Sequence, residues 1–208
     1  TAWIAPIPLL HWLRRARCGR DQILFTLVLM AAWSLALAKI VTEPLPLAIA
    51  LGFGVPIGAF QAAAYLTADA LRRRVAAPLA LLAFPAALVV SEWAQHALTP
   101  FGSWGAAAYT QTDLLPLLQL VSVTGLHGVA FVMALLAAAA EDWLATRAPA
   151  SRARLVVAAV ATAAVTFAGT GWSRRALPPQ AFWGPPPGGQ TRPTPQGETT
   201  RPPPAARP

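Results

Sequence analysis

One carboxylate, Glu92, is the sole charged residue in an apolar run, residues 75–98. An ionisable group inside such a segment is costly in hydrocarbon, so it faces a bundle interior, a cavity or a partner. It can hold a cationic group or take a proton itself. It can equally be a carboxyl satisfied by a neighbouring helix, or wetted near a membrane edge. Just beyond it, Trp93, Trp104 and Tyr109 surround a short polar loop that also carries Gln111. Rings of this kind commonly form an interfacial belt; grouped beside Glu92 and Gln111, they could also line a groove for lipid entry. His96 and His127 sit on adjacent apolar segments, but two imidazoles without a third ligand fall short of a metal centre. Each reads equally as a hydrogen-bonded residue near the interface.

Other reactive groups are few. Cys18 is the only cysteine, which excludes an internal disulfide, and it lies among Arg14, Arg15, Arg17 and Arg20. Its plain reading is a thiol at the membrane edge with no role. The chain has no Ser-His-Asp order, Gly-rich phosphate loop, CxxC or HExxH. No cofactor and no metal are expected.

The elements that must position these residues are greasy helices. The chain is 56% hydrophobic and 12% charged, about half the charge a soluble domain carries. Apolar segments at residues 23–41, 45–71, 75–98, 116–140 and 155–172 each approach one hydrocarbon thickness. The expected fold is therefore an all-α membrane protein with a bundle of about five transmembrane helices, residues 23–172. Residues 2–13 are too short to span, and Pro6 and Pro8 are expected to break any helix there, leaving residues 1–22 as an interfacial, basic segment. The second span holds Gly52, Gly54 and Gly58, small residues that let helices approach closely in lipid. Lys39 can snorkel outward from the end of the first span, and Glu43 four residues on makes a weak surface pair with it. Residues 141–154 are expected to form a polar turn. From Ser173 the chain is rich in Pro, Gly, Thr and Arg and reads as a disordered, partly polyproline II tail, residues 173–208.

The basic residues alternate. Four Arg precede the first span, Arg72, Arg73 and Arg74 follow the second, and Arg147, Arg152 and Arg154 separate the fourth from the fifth. The turns after the first and third spans hold none. Positive charge marks the cytoplasmic side, so residues 99–115 and the tail are expected to face outward, with Arg174 and Arg175 running mildly against the rule. The net charge of +8 is thus a topology signal, and no nucleic-acid partner is expected.

Glu92-Trp93, Trp104, Tyr109-Thr110-Gln111, Leu118-Gln119-Leu120 and the stretch from Gly125 to Phe131 follow one another in an order and spacing that resembles apolipoprotein N-acyltransferase. The segments AWIAPIPLL and EPLPLAIALGFG, with ADALRRR, extend the resemblance upstream. Residues 1 to about 172 resemble that family's third to seventh helices. The chain departs from the pattern at Gln95, where the family has Arg, at Phe101-Gly102-Ser103-Trp104, where it has Gly-Phe-Pro-Trp, and at His127, where it has Tyr. In the family a nitrilase-like domain with a Glu-Lys-Cys triad follows the seventh helix; here the proline-rich stretch stands in that place, and no catalytic residue is carried over.

The resemblance implies a multi-pass protein of the bacterial cytoplasmic (inner) membrane, with an extracytoplasmic tail, that takes part in lipoprotein biosynthesis. It implies membrane phospholipid as a partner, and a lipoprotein substrate or a separate nitrilase-like chain as others. Glu92, Trp93, Trp104, Tyr109, Gln111 and His127 are the candidate lipid- and substrate-binding residues. Two readings stay open: a truncated membrane portion that is inactive alone, or a non-enzymatic scaffold or lipid-binding module. A small transporter fits less well, because no paired broken-helix repeat is evident. Reporter fusions test the topology: the turn at Arg72 to Arg74 and the proline tail should report opposite sides, and the same side for both would break the assignment.

Overall fold

The computed structural model describes residues 2–16, 18–40 and 47–175. Expectations for Glu43 and for the tail beyond residue 175 fall outside the described residues. The chain divides into a compact unit, Thr1–Ser173, and a second, Arg174–Pro208; the bundle described here belongs to the first.

The helices are α1 (Pro6–Arg15), α2 (Gly19–Ile40), α3 (Leu47–Arg72), α4 (Ala77–Leu98), α5 (Leu115–Leu118), α6 (Val121–Thr124), α7 (Leu126–Thr146) and α8 (Pro149–Arg175), with a 3-10 turn at Ala107–Gln111. No strand occurs among the described residues. Five helices, α2, α3, α4, α7 and α8, are long and apolar enough to cross a membrane. The 22 residues of α2 amount to about 33 Å of helix, slightly more than one hydrocarbon core. The protein is an all-α membrane protein, as its sequence leads one to expect.

Two details differ from expectation. Pro6 and Pro8 do not break a helix; they occupy the first turn of α1. The amides of that turn have no intrahelical acceptor, so a missing N–H costs nothing there and the fixed φ suits the helix. Helix α1 is also more than an interfacial strip, because Leu13 is buried and Trp12 packs edge-on against Phe25, ring centroids 5.5 Å apart. The expected fourth span, residues 116–140, is likewise not continuous. Two single-turn helices, α5 and α6, precede a break at Gly125. There φ is +68°, a conformation glycine enters without a Cβ clash. The span proper is α7, which runs on to Thr146 and so carries Glu141 and Asp142 inside a helix; only residues 147 and 148 of the expected polar turn separate it from α8. Those charges are tolerated because Arg14 of α1 and Arg154 of α8 reach them.

The interior is knitted by aromatic rings. Phe25 of α2 meets Tyr65 of α3 at 5.6 Å, and Tyr65 meets Phe84 of α4 at 4.7 Å. Ser91 of α4 donates to the Phe60 carbonyl of α3 at 2.5 Å. Close approach of α2 and α3 rests on missing side chains: a Cβ on Gly58 would lie 2.6 Å from the Met30 Cα, and one on Gly54 would strike the Ser34 backbone. Without a hydrophobic drive between helices in lipid, such small-residue contacts are what hold them together. Helix α8 is attached more thinly. Ser151, Ala158 and Gly169 are its buried positions, while Val156, Val157, Val160 and Phe167 are exposed.

Gly58→Leu should therefore cost about 1–3 kcal/mol through overpacking, read as a lowered unfolding midpoint in detergent. Gly52→Ala, where a Cβ meets nothing within 4 Å, should leave that midpoint within experimental error.

Candidate functional site

Glu92, Gln95 and Thr99 follow one another at helical spacing along the last turns of α4 and its C-cap, so they share one side of the helix. They fasten the loop that follows. Glu92 Oε1 accepts the Ala107 amide at 3.1 Å, at the first residue of the 3-10 turn. Gln95 Nε2 donates to the Trp104 carbonyl at 2.6 Å and to the Gly102 carbonyl at 3.4 Å. Thr99 Oγ1 donates back to the Gln95 carbonyl at 2.6 Å. The loop can lie this close because Gly102 and Gly105 adopt positive φ, +56° and +81°.

The second oxygen of Glu92 is the anomaly. Oε2 is buried and has no hydrogen-bond partner, and the same holds for Nδ1 of His127. These two atoms face each other at 3.8 Å, too far for a hydrogen bond. His127 reaches this position because it stands in the first turn of α7, just past the break at Gly125. Gly128 permits the elbow, since a Cβ there would collide with Thr124 of α6. The His96 ring lies 6.4 Å from that of His127, centroid to centroid. Among the described residues no group of three His, Cys, Asp or Glu side chains is placed to hold a metal ion.

The other candidates form the rim. Trp104 packs on Phe53 of α3, centroids 5.5 Å apart, and remains half exposed. The hydroxyls of Tyr109 and Ser103 are 2.7 Å apart. Gln111 is buried in the same 3-10 turn, but its Oε1 is taken up by the Trp3 indole N–H at 2.8 Å. Trp93 is exposed and shares none of these contacts. The structure thus brings Glu92 and His127 together and sets Trp104 and Tyr109 on the loop that Glu92 anchors. Gln111 fixes the N-terminal segment, and Trp93 stands on the outer surface of α4.

Two participants were not among the candidates. In the sequence Gln95 stands out only as a departure from a motif, although its spacing of three from Glu92 on one helix is a usable signal. Trp3 is 108 residues from Gln111, and nothing local could have linked them. Chemically, the arrangement offers a buried carboxylate with one open oxygen, an imidazole beside it and an aromatic rim. That suits binding an amphipathic molecule with an N–H or ammonium group. It does not supply a nucleophile. The only thiol, Cys18, is two residues from Ala16, whose carbonyl accepts from Arg73 at the opposite end of the bundle.

A family profile for the apolipoprotein N-acyltransferase N-terminal domain matches residues 1–139. The matched stretch takes in α1 to α6, the loop and most of α7. No curated protein and no solved structure matches the chain. With two thirds of its residues matched and a bundle of the expected kind, the chain belongs to the apolipoprotein N-acyltransferase N-terminal domain family.

Proposed function

We propose that this chain is the membrane part of an apolipoprotein N-acyltransferase-like system, which presents phospholipid and lipoprotein for acyl transfer in lipoprotein biosynthesis. It works in a bacterial inner membrane, with residues 99–115 facing outward. The observation that carries the binding role is the buried, unpartnered Glu92 Oε2 beside His127 Nδ1. A desolvated acceptor of this kind gains most from a charged donor. The ammonium of phosphatidylethanolamine and the amino terminus of a diacylglyceryl lipoprotein both qualify. Trp104 and Tyr109 form the apolar rim over which the rest of such a molecule lies.

Acyl transfer in this family passes through a thioester and needs an activated thiolate. The loop end of this bundle has none. We therefore assign the covalent chemistry to a nitrilase-like catalytic part and the positioning of substrates to this bundle. The place of Cys18, at the end away from Glu92, also favours a second reading, that of a lipid-binding module that partners a separate nitrilase-like chain.

Two experiments test these statements. The purified 208-residue chain should give no acyl transfer from phospholipid to a diacylglyceryl peptide; turnover by this chain alone refutes the division of labour. Glu92→Gln should weaken binding of phosphatidylethanolamine about tenfold to a hundredfold, the equivalent of about 1.5–3 kcal/mol for one charge-assisted hydrogen bond. Binding of phosphatidylglycerol should hardly change. Equal retention of both lipids by the variant means that Glu92 only packs against the loop.

A further inference from the structure

At the end of the bundle away from Glu92, a cavity of about 530 Å³ opens between α1, α3, α4, α7 and α8. Its polar wall is unusual for a membrane bundle. Asp69, Glu141 and Asp142 line it together with Arg14, Arg72, Arg73 and Arg154. On the α7 side the groups form a chain, in which Arg14 also reaches Asp142 at 3.4 Å and His11 lies 3.2 Å from Glu141. Glu141 takes Arg14 through Nε and Nη2, at 3.1 and 2.6 Å. Asp142 takes Arg154 in the same bidentate way, at 3.2 and 2.6 Å. Asp69 differs, because it is buried and carries two guanidiniums, those of Arg72 and Arg73. Four cations thus face three carboxylates. The surplus positive charge belongs to the Asp69 corner; Arg73 also donates to the Ala16 carbonyl, so an anion with several oxygens would take the remaining N–H groups of the two guanidiniums.

The opposite wall is apolar: Leu10, Leu13, Tyr65, Leu81 and Phe84. The depth is also informative. Arg72 is the last residue of α3 and Ala77 the first of α4, so the cavity lies where the spans end, at headgroup level. A volume within the usual range for small-molecule sites, about 300–1,000 Å³, leaves room for more than an anion.

We propose that this cavity is a second, separate lipid site. It seats a phosphate group against Arg72 and Arg73, and the preferred ligand is an anionic phospholipid whose glycerol and first methylenes cover the apolar wall. A free phosphate shares the anion chemistry but would leave that wall bare. The proposal does not rest on the acyl-transfer reading, since neither Glu92 nor the loop contributes to it.

The test uses the full chain, delipidated in neutral detergent, with short-chain phosphatidylglycerol, inorganic phosphate and short-chain diacylglycerol as three separate probes. Binding is read by thermal shift and by native mass spectrometry. Phosphatidylglycerol should bind one molecule per chain at this site, at least tenfold tighter than either other probe. Arg73→Gln removes the surplus charge yet leaves Asp69 paired with Arg72, so the fold should persist while lipid affinity falls tenfold or more. Ala80→Trp, which fills the cavity without touching a charge, should abolish that binding. Asp69→Asn should change affinity in the other direction, because it frees two guanidiniums. Arg74→Gln, outside the cavity, is the control and should bind as the parent does. Unaltered lipid binding in both Arg73→Gln and Ala80→Trp overturns the site. Inorganic phosphate binding as tightly as the lipid overturns the lipid assignment and identifies a soluble phosphate ligand instead.

Discussion

A carboxylate within a membrane span has no water to fall back on, so whatever satisfies it must come from the protein or a ligand. Glu92 finds half of its satisfaction in the Ala107 amide. That bond, with the Gln95 bond to Trp104 three residues further along α4, decides where the loop lies. The loop in turn decides what can reach the end of the bundle. Were the loop free, its backbone polar groups would have to stay in water, and the aromatic rim carried by Trp104 and Tyr109 would have no fixed place over the helices. The remaining half, the buried oxygen 3.8 Å from His127 Nδ1, has no hydrogen-bond partner.

The two ends of the molecule solve the problem of charge in opposite ways. At the loop end the buried acid, Glu92, is partly answered. At the other end Asp69, Glu141 and Asp142 are over-answered by arginines from α1, α3, the turn after α3 and α8. Buried ion pairs contribute little net stability once desolvation is counted, but removing one partner is severe. Their value here is geometric. Arg14 ties α1 to α7, and Arg154 ties the thinly attached α8 to α7, so electrostatics adds to the apolar packing of α1 and supplies much of the hold on α8.

Much of this was readable in the sequence. The five spans were visible because hydropathy and the alternation of arginine-bearing turns are local properties, and the lipid environment leaves helices as almost the only solution. Glu92 and His127 stand out as candidates because a polar residue in an apolar run is conspicuous without reference to any contact, and the structure sets them 3.8 Å apart. What escaped were features that depend on partners distant in the chain. Glu141 and Asp142 looked like a turn because nothing near them reveals that Arg14, 127 residues before Glu141, would answer that acid inside a helix while Arg154 answers Asp142 from α8. The break at Gly125 was hidden because the mostly apolar residues on either side read as one span; only the backbone angle at the glycine separates them. Pro6 and Pro8 misled for the opposite reason, because a rule about helix interiors was applied to a helix start.

Helix α8 has a further implication. Ser151, Arg154, Ala158, Val165 and Gly169 make its contacts with the rest of the protein, and they fall on one narrow stripe at steps of three, four or seven. Away from that stripe Val156, Val157, Val160 and Phe167 are exposed apolar side chains, the kind that face acyl chains in a span. Over evolutionary time the two faces are then filtered by different rules. The stripe must keep its sizes, above all the glycine that meets the Pro116 backbone, while Val156, Val157, Val160 and Phe167 need only stay greasy and are free to drift among the aliphatics. Divergence in this helix should thus be fast and yet nearly invisible to the fold.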